Sequence, residues 1–275
     1  MSDGGPLVDG ELSPAWWGRH LAETRWVLEA ARLSVDPLFL RPGAALPRGD
    51  GRAVLVLPGF LAGDQTVAAL AAWLIRIGYS ARTCRFVVNI DCSDRTLDRL
   101  ERRVEAVHDR TGRRVAVIGH SRGGHFARAL AARRPELVSH AISLGSDLKS
   151  LLEISISTQA SIAAAAIALR ATGRTRRREC LTIDCPCAFT ADYRRPFPTA
   201  AVRLTSVYSK GDGVVRWRQQ IVPEAECVEV SGSHIGLVFN RKAYRAIAAA
   251  LARPELPTPA PCARNVSMTS ITSSG

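Results

Sequence analysis

The chain has 275 residues, 47% of them apolar and 23% charged, a composition that supports one sizeable core and excludes a mainly disordered chain, a collagen-like fibre or a coiled-coil rod. Thirty-seven basic against 25 acidic residues give a formal charge of +12. Lys149, Lys210 and Lys242 are the only lysines, so the excess is arginine; it is compatible with an anionic partner without establishing one.

The first fifteen residues carry Asp3, Asp9 and Glu11 and no basic residue, which is not the pattern of a signal peptide. The most apolar stretch, 151–169, is interrupted by Glu153, serines, Thr158 and Gln159 and is too polar to span a bilayer. A soluble, cytoplasmic chain is expected.

Ser13-Pro14 reads as an N-cap followed by a first-turn proline. Trp17, Leu21, Leu28, Ala31 and Val35 then fall on one helix face, with Trp26 and Leu33 on the opposite side. That second face is expected to be covered by another part of the chain. A Pro/Gly-rich linker, 42–51, closes an N-terminal segment of residues 1–51.

Beyond it, short apolar runs alternate with helical patterns. Residues 53–57 form a strand. Asp64 caps a helix over 65–77 that Gly78 ends, and 81–89 is a second strand. Leu97, Leu100, Val104 and Val107 make a helical stripe ending near Gly112. Residues 115–118 are a strand and 123–134 a helix stopped by Pro135. Further strands are expected at 141–144, 203–208 and 227–230, and Tyr244, Ile247 and Leu251 mark a last helix. Strands alternating with helices imply an α/β fold with a mostly parallel sheet of about six strands, covered on both faces. The tail, 254–275, is rich in Pro, Ser and Thr and is expected to be disordered.

Seven cysteines (84, 92, 180, 185, 187, 227 and 262) include a cluster at Cys180, Cys185 and Cys187. None has CxxC or Cys/His zinc-ligand spacing. They read as reduced structural thiols, with a local disulfide as the alternative, and no metal or other cofactor is expected.

Gly119-His120-Ser121-Arg122-Gly123-Gly124 follows the apolar run 115–118 and precedes the helical run 126–134. A serine on a tight strand-to-helix turn needs small neighbours and unusual backbone angles, and it stands at a helix N-terminus where N–H groups can stabilise a developing oxyanion. In this stretch the sequence resembles the α/β-hydrolase superfamily, in particular its bacterial lipases and esterases, over residues 52–253.

The resemblance implies a nucleophile, acid, histidine order along the chain. Ser121 stands at the expected nucleophile position. Asp212 follows the strand 203–208, and His234 follows the strand 227–230. Asp184 and Asp192 are fallback acids that precede the expected strand. The oxyanion donors implied are the backbone N–H groups of Phe60, in Pro58-Gly59-Phe60, and of Arg122, with Leu61 as the alternative to Phe60. Many relatives have His-Gly where this chain has Pro58-Gly59.

The insertion 147–201 lies where the superfamily carries a cap. Its Ala/Ser/Ile-rich start and basic 174–178 run suggest a helical lid over an apolar acyl pocket, and its arginines a possible anionic lipid interface. The expected activity is a serine carboxylester hydrolase acting on a small-molecule ester with an apolar acyl chain. A thioesterase or acyltransferase with the same triad, or a non-catalytic hydrolase scaffold that binds through its arginines, are the alternatives. No nucleic-acid motif is present, and the oligomeric state is not legible.

Overall fold

The computed structural model of the chain describes residues 23–43, 46–150, 156–172 and 187–258. Ser13, Pro14, Trp17, Leu21, Cys180, Asp184, Cys185, Cys262 and the basic run 174–178 lie outside them.

The described residues build one parallel sheet of six strands: β1 (Ala53–Leu57), β2 (Ser80–Thr83), β3 (Val115–His120), β4 (Val138–Leu144), β5 (Arg203–Tyr208) and β6 (Glu226–Glu229). Their spatial order is β2-β1-β3-β4-β5-β6, and every neighbouring pair is parallel. The helices are α1 (Trp26–Ser34), α2 (Pro37–Leu40), α3 (Ala68–Arg76), α4 (Ser93–Thr111), α5 (Arg122–Arg133), α6 (Ile156–Ala171), α7 (Ala188–Arg194) and α8 (Arg241–Ala252).

The central strands are apolar without alternation because both faces of the sheet are covered. Leu55, Leu57 and Val117 join Leu100 of α4 and Phe126 and Leu130 of α5 on one side. Val54, Val56 and Ile118 join Trp73 and Leu74 of α3 and Tyr244 and Ile247 of α8 on the other. The chain steps outward from β1 to β2 and then returns across β1 to β3. The crevice of such a sheet opens where the strand order reverses, at the C-terminal ends of β1 and β3.

Three elements differ from what the sequence implies. The second strand is four residues long, ending at Thr83, because Asp64 does not cap a helix. Its carboxylate accepts the N–H groups of Arg85 (2.6 Å) and Phe86 (3.1 Å) and draws the chain away from the sheet. Asp64 itself opens a 3₁₀ turn, and α3 begins only at Ala68.

The packing face of α1 is the reverse of the one with more apolar residues. Leu28 and Val35 are 58% and 72% exposed, whereas Leu33 is 4% exposed and the Trp26 ring lies 6.0 Å from that of Phe239. Covering this second face are residues some two hundred positions away in sequence.

The tail is also anchored at its start. Arg203 Nε donates to the Pro254 carbonyl (2.7 Å) and Arg114 pairs with Glu255 (3.3 Å); residues 259–275 lie outside the described part.

Some of the arginines are internal wiring rather than a free positive surface. Arg133 and Arg134 at the end of α5 pair with Asp98, Glu101, Glu105, Glu136 and Asp192. Among the described residues no helix is long and apolar enough to cross a membrane.

Candidate active site

Ser121 caps the N-terminus of α5 with φ 51° and ψ −122°, a region that costs a non-glycine residue of order 1–3 kcal/mol. The surrounding turn over-determines it. The Ser121 N–H donates to the Leu144 carbonyl (2.9 Å), and its carbonyl accepts from the Gly124 N–H (2.9 Å) and from Ser146 Oγ (2.7 Å). The turn closes only because Gly119 and Gly123 lack side chains. A Cβ at Gly119 would stand 2.1 Å from the Gly123 carbonyl, and one at Gly123 would stand 2.6 Å from the Leu57 carbonyl.

At the ends of β5 and β6 the structure brings Asp212 and His234 together. His234 Nδ1 donates to Asp212 Oδ2 at 2.8 Å, and both side chains are buried. The other Asp212 oxygen accepts the N–H groups of Val214 and Val215, each at 2.8 Å. Gln220 Nε2 donates to Oδ2 at 2.9 Å. The carboxylate is thus immobilised by four donors and cannot turn away from the imidazole. Burial alone would push the His234 pKa down, but the charge and hydrogen bond of Asp212, with the charge of Glu23 added, raise it above the ordinary histidine value.

The serine turn and the dyad share one corner. His120, next to Ser121 in sequence, has its ring 4.9 Å from that of His234 and donates from Nε2 to the His234 carbonyl at 2.9 Å. Because a carbonyl only accepts, this fixes the His120 tautomer with its proton on Nε2. Burial, and then the neighbouring His234, lower the His120 pKa to about 3, so it stays neutral. Gly145, just beyond β4, lies under the pair; a Cβ there would be 3.1 Å from His234 Nδ1 and 3.2 Å from Asp212 Oδ2.

The loop after β1 meets the same corner. A Cβ at Gly59 would stand 3.2 Å from Ser121 Cβ, which sets the next amide, Phe60, beside the serine turn. Among the described residues the Phe60 N–H has no hydrogen-bond partner. That of Leu61 donates to the Asn89 carbonyl (3.3 Å) and is not available as the alternative donor. The Arg122 N–H belongs to the first turn of α5.

The Arg122 side chain does not point to solvent. Its guanidinium donates to the carbonyl and Oδ1 of Asn89 (3.0 Å each), to the Asp91 carbonyl (2.7 Å) and to Ser93 Oγ (3.1 Å). Asn89 in turn donates from Nδ2 to the Pro58 carbonyl at 2.9 Å. Residues 85–92, which leave β2 early, therefore tie the serine turn to the Pro58-Gly59-Phe60 loop. This supplies a brace for a loop that lacks the His-Gly of many relatives.

The fallback acid Asp192 is occupied elsewhere, paired with Arg133 and Arg195 on α7. Cys187 is buried with Thr190 Oγ1 3.3 Å from its sulfur, and is free of any disulfide. Leu61, on the loop after β1, and Val87 and Val88, in the stretch after β2, are exposed apolar residues. Within the insertion, α6 presents Ile167 to solvent. Among the described residues no group of three or more His, Cys, Asp or Glu side chains is arranged to hold a metal ion.

A family model described as alpha/beta hydrolase fold matches residues 78–172, the span containing the serine turn, and the sheet order and strained turn agree with it. The chain is an α/β-hydrolase-fold protein. Solved structures share this chain's architecture over most of its length. The mature lipase BlEst2 of Bacillus licheniformis superposes with a TM-score of 0.55 at 13% identity, over 76% of this chain and 95% of that one. A metagenome-derived lipolytic enzyme of the LipS and LipT study gives 0.51 at 14%, over 75% and 94%. The monoacylglycerol lipase of Paleococcus ferrophilus gives 0.50 at 12%, over 75% and 96%. No protein of the curated set matches this chain by sequence.

Proposed function

We propose that the chain is a serine carboxylester hydrolase in which Ser121 is the nucleophile, His234 the general base and acid, and Asp212 the orienting carboxylate. The observation that carries this reading is the buried His234–Asp212 pair at 2.8 Å in the corner occupied by the strained Ser121 turn.

In the first half-reaction Ser121 Oγ attacks the acyl carbon while its proton passes to His234 Nε2. The Asp212 hydrogen bond keeps the second proton of the imidazole on Nδ1, so that Nε2 is the basic nitrogen. The backbone N–H groups of Phe60 and Arg122 receive the oxyanion, a contribution of several kcal/mol in sites of this type. Collapse breaks the bond to the leaving alcohol, which takes the proton from Nε2 and leaves the acyl group on Ser121. Water then attacks the acyl-enzyme, gives its proton to Nε2, and the carbon–Oγ bond breaks as that proton returns to Ser121.

Exposed Leu61, Val87 and Val88 on the loops after β1 and β2 are in keeping with an apolar acyl chain, and the insertion 147–201 is the segment that would serve as a lid over it. Lipases and lipolytic enzymes among the structural neighbours agree with the same chemistry. The test is turnover of nitrophenyl esters of short, medium and long acyl chains, with Ser121→Ala as control. Turnover that falls by about 10⁴-fold or more in the variant is expected; a variant that keeps wild-type turnover overturns the reading.

A further inference from the structure

Two carboxylates reach the His234 loop from the N-terminal segment, outside the sheet and its covering helices. Glu23, in the 3₁₀ turn Glu23–Arg25 before α1, is 8% exposed. Its Oε1 accepts the N–H groups of Gly213 (2.9 Å) and His234 (2.8 Å). Its Oε2 accepts that of Ile235 (3.0 Å). One oxygen therefore joins the loop that carries Asp212 to the loop that carries His234. Glu29, two turns along, takes the Ser233 N–H (3.1 Å) and hydroxyl (2.8 Å), and it packs where Gly236 leaves room.

A buried carboxylate is costly unless several donors satisfy it, and here three amides aimed at Glu23 do so. Among the large apolar residues of α1 Leu33 is buried and Trp26 is 38% exposed, so Glu23 and Glu29 also help to hold this segment against the His234 loop. What the carboxylate adds is a fixed distance between the two loops and a negative charge beside the imidazole.

We infer that Glu23 is a positioning residue of the Ser121–His234–Asp212 site, a carboxylate supplied by the N-terminal segment that locks the His234 loop to the Asp212 loop and sets a negative charge on the His234 backbone amide. This rests on the catalytic reading of His234 proposed above. The groups around His234 are Asp212 from the loop after β5, Glu23 from the N-terminal turn, His120 from the end of β3 and, one residue along, Glu29 on Ser233. His120 is held neutral, so Glu23 is the second negative charge acting on the ring after Asp212.

The experiment is an NMR titration of the His234 imidazole in the full-length chain, run beside the pH profile of kcat and kcat/KM on a nitrophenyl ester. Glu23→Gln keeps the shape and removes the charge. It is expected to lower the His234 midpoint and the acid limb of kcat/KM together, and to cost about tenfold in kcat with little change in KM. Glu23→Asp keeps the charge one methylene further away and gives an intermediate, smaller shift. It carries the same test if the amide variant does not fold. A His234 midpoint unmoved in the folded variants overturns the proposal, and so does an Asp variant shifted as far as the Gln one. Because the titration needs no substrate, a chain that hydrolyses no ester would sink the hydrolase reading while this result still stood.

Discussion

Gln220 donates from Nε2 to Asp212 Oδ2 at 2.9 Å, the same oxygen that accepts from His234 Nδ1 at 2.8 Å. The same amide also donates to the Val215 carbonyl (3.1 Å), and the Gln220 main-chain carbonyl accepts from Ser206 Oγ (2.6 Å). Gln220 is fully buried, anchored to β5 through its main chain, and its side-chain amide steadies the carboxylate beside the imidazole. A hydrogen bond to a buried charge is worth roughly 1.5–3 kcal/mol. Gln220→Ala is expected to lower kcat/KM about tenfold and to shift the urea midpoint downward. Wild-type kinetics in that variant would show that the Val214 and Val215 amides suffice.

Asn89 links the serine turn to the Phe60 loop through Arg122 on one side and Pro58 on the other. Neither side chain touches the reacting atoms, so their loss acts through the position of the Phe60 N–H. Removal of an oxyanion donor outright costs about 10²–10³ in kcat; displacement costs less. Asn89→Ala is expected to reduce kcat about tenfold while KM stays within about twofold. A variant in which KM rises and kcat holds would assign the brace to substrate binding instead.

The serine turn also offers a purely steric test. The methyl group of Gly123→Ala would meet the Leu57 carbonyl at 2.6 Å, and that carbonyl belongs to a fully buried residue of β1. Backbone cannot yield as a flexible side chain does, so the variant is expected to lose about 1–3 kcal/mol of stability. Fluorophosphonate labelling of Ser121 should slow with it. A denaturation midpoint equal to wild type contradicts this account of the turn.

What the sequence makes legible follows from where each signal resides. The strands β1, β3 and β5 and the Ser121 turn are local: a continuous apolar run, then glycines in fixed places. The end of β2 is not, because the residue that terminates it, Asp64, is some twenty positions away and looks like a helix cap. In α1 both faces are apolar enough to dock, and the choice is made by Phe239 and its neighbours. Glu23, Glu29 and Gln220 carry no pattern at all. An acidic residue near a helix start and a glutamine in a loop are ordinary solvated groups until the fold sets them against Asp212 and His234. Arg122 misleads in the opposite direction, as one of many arginines suggestive of a positive surface whose guanidinium is spent on Asn89, Asp91 and Ser93.

Acidification should act on activity and on stability in different pH windows. In the proposed reaction His234 must be neutral to take the Ser121 proton, and its folded pKa is raised above the ordinary 6.5; kcat/KM is therefore expected to rise with pH along a limb whose midpoint lies above 6.5. A histidine raised in this way contributes stability that is complete below its unfolded pKa and lost as pH climbs through the folded value. His120, His125 and His140 have the opposite sign. Burial first, and then neighbouring positive groups, lower them to about 3, about 3 and about 4. Between those values and 6.5 the unfolded chain binds more protons than the folded one. Their contribution is present above 6.5 and lost as pH falls, at a rate of about 1.4 kcal/mol per histidine for each pH unit at most. Below 6.5 the His234 contribution is already complete and no longer changes, so the three lowered histidines set the slope; the melting temperature is expected to drop steadily between pH 6.5 and 4.5, while activity has already declined at the upper edge of that range. Thermal melts and ester turnover followed over the same pH series check both, and a melting temperature constant down to pH 4.5 would mean that water reaches these three rings.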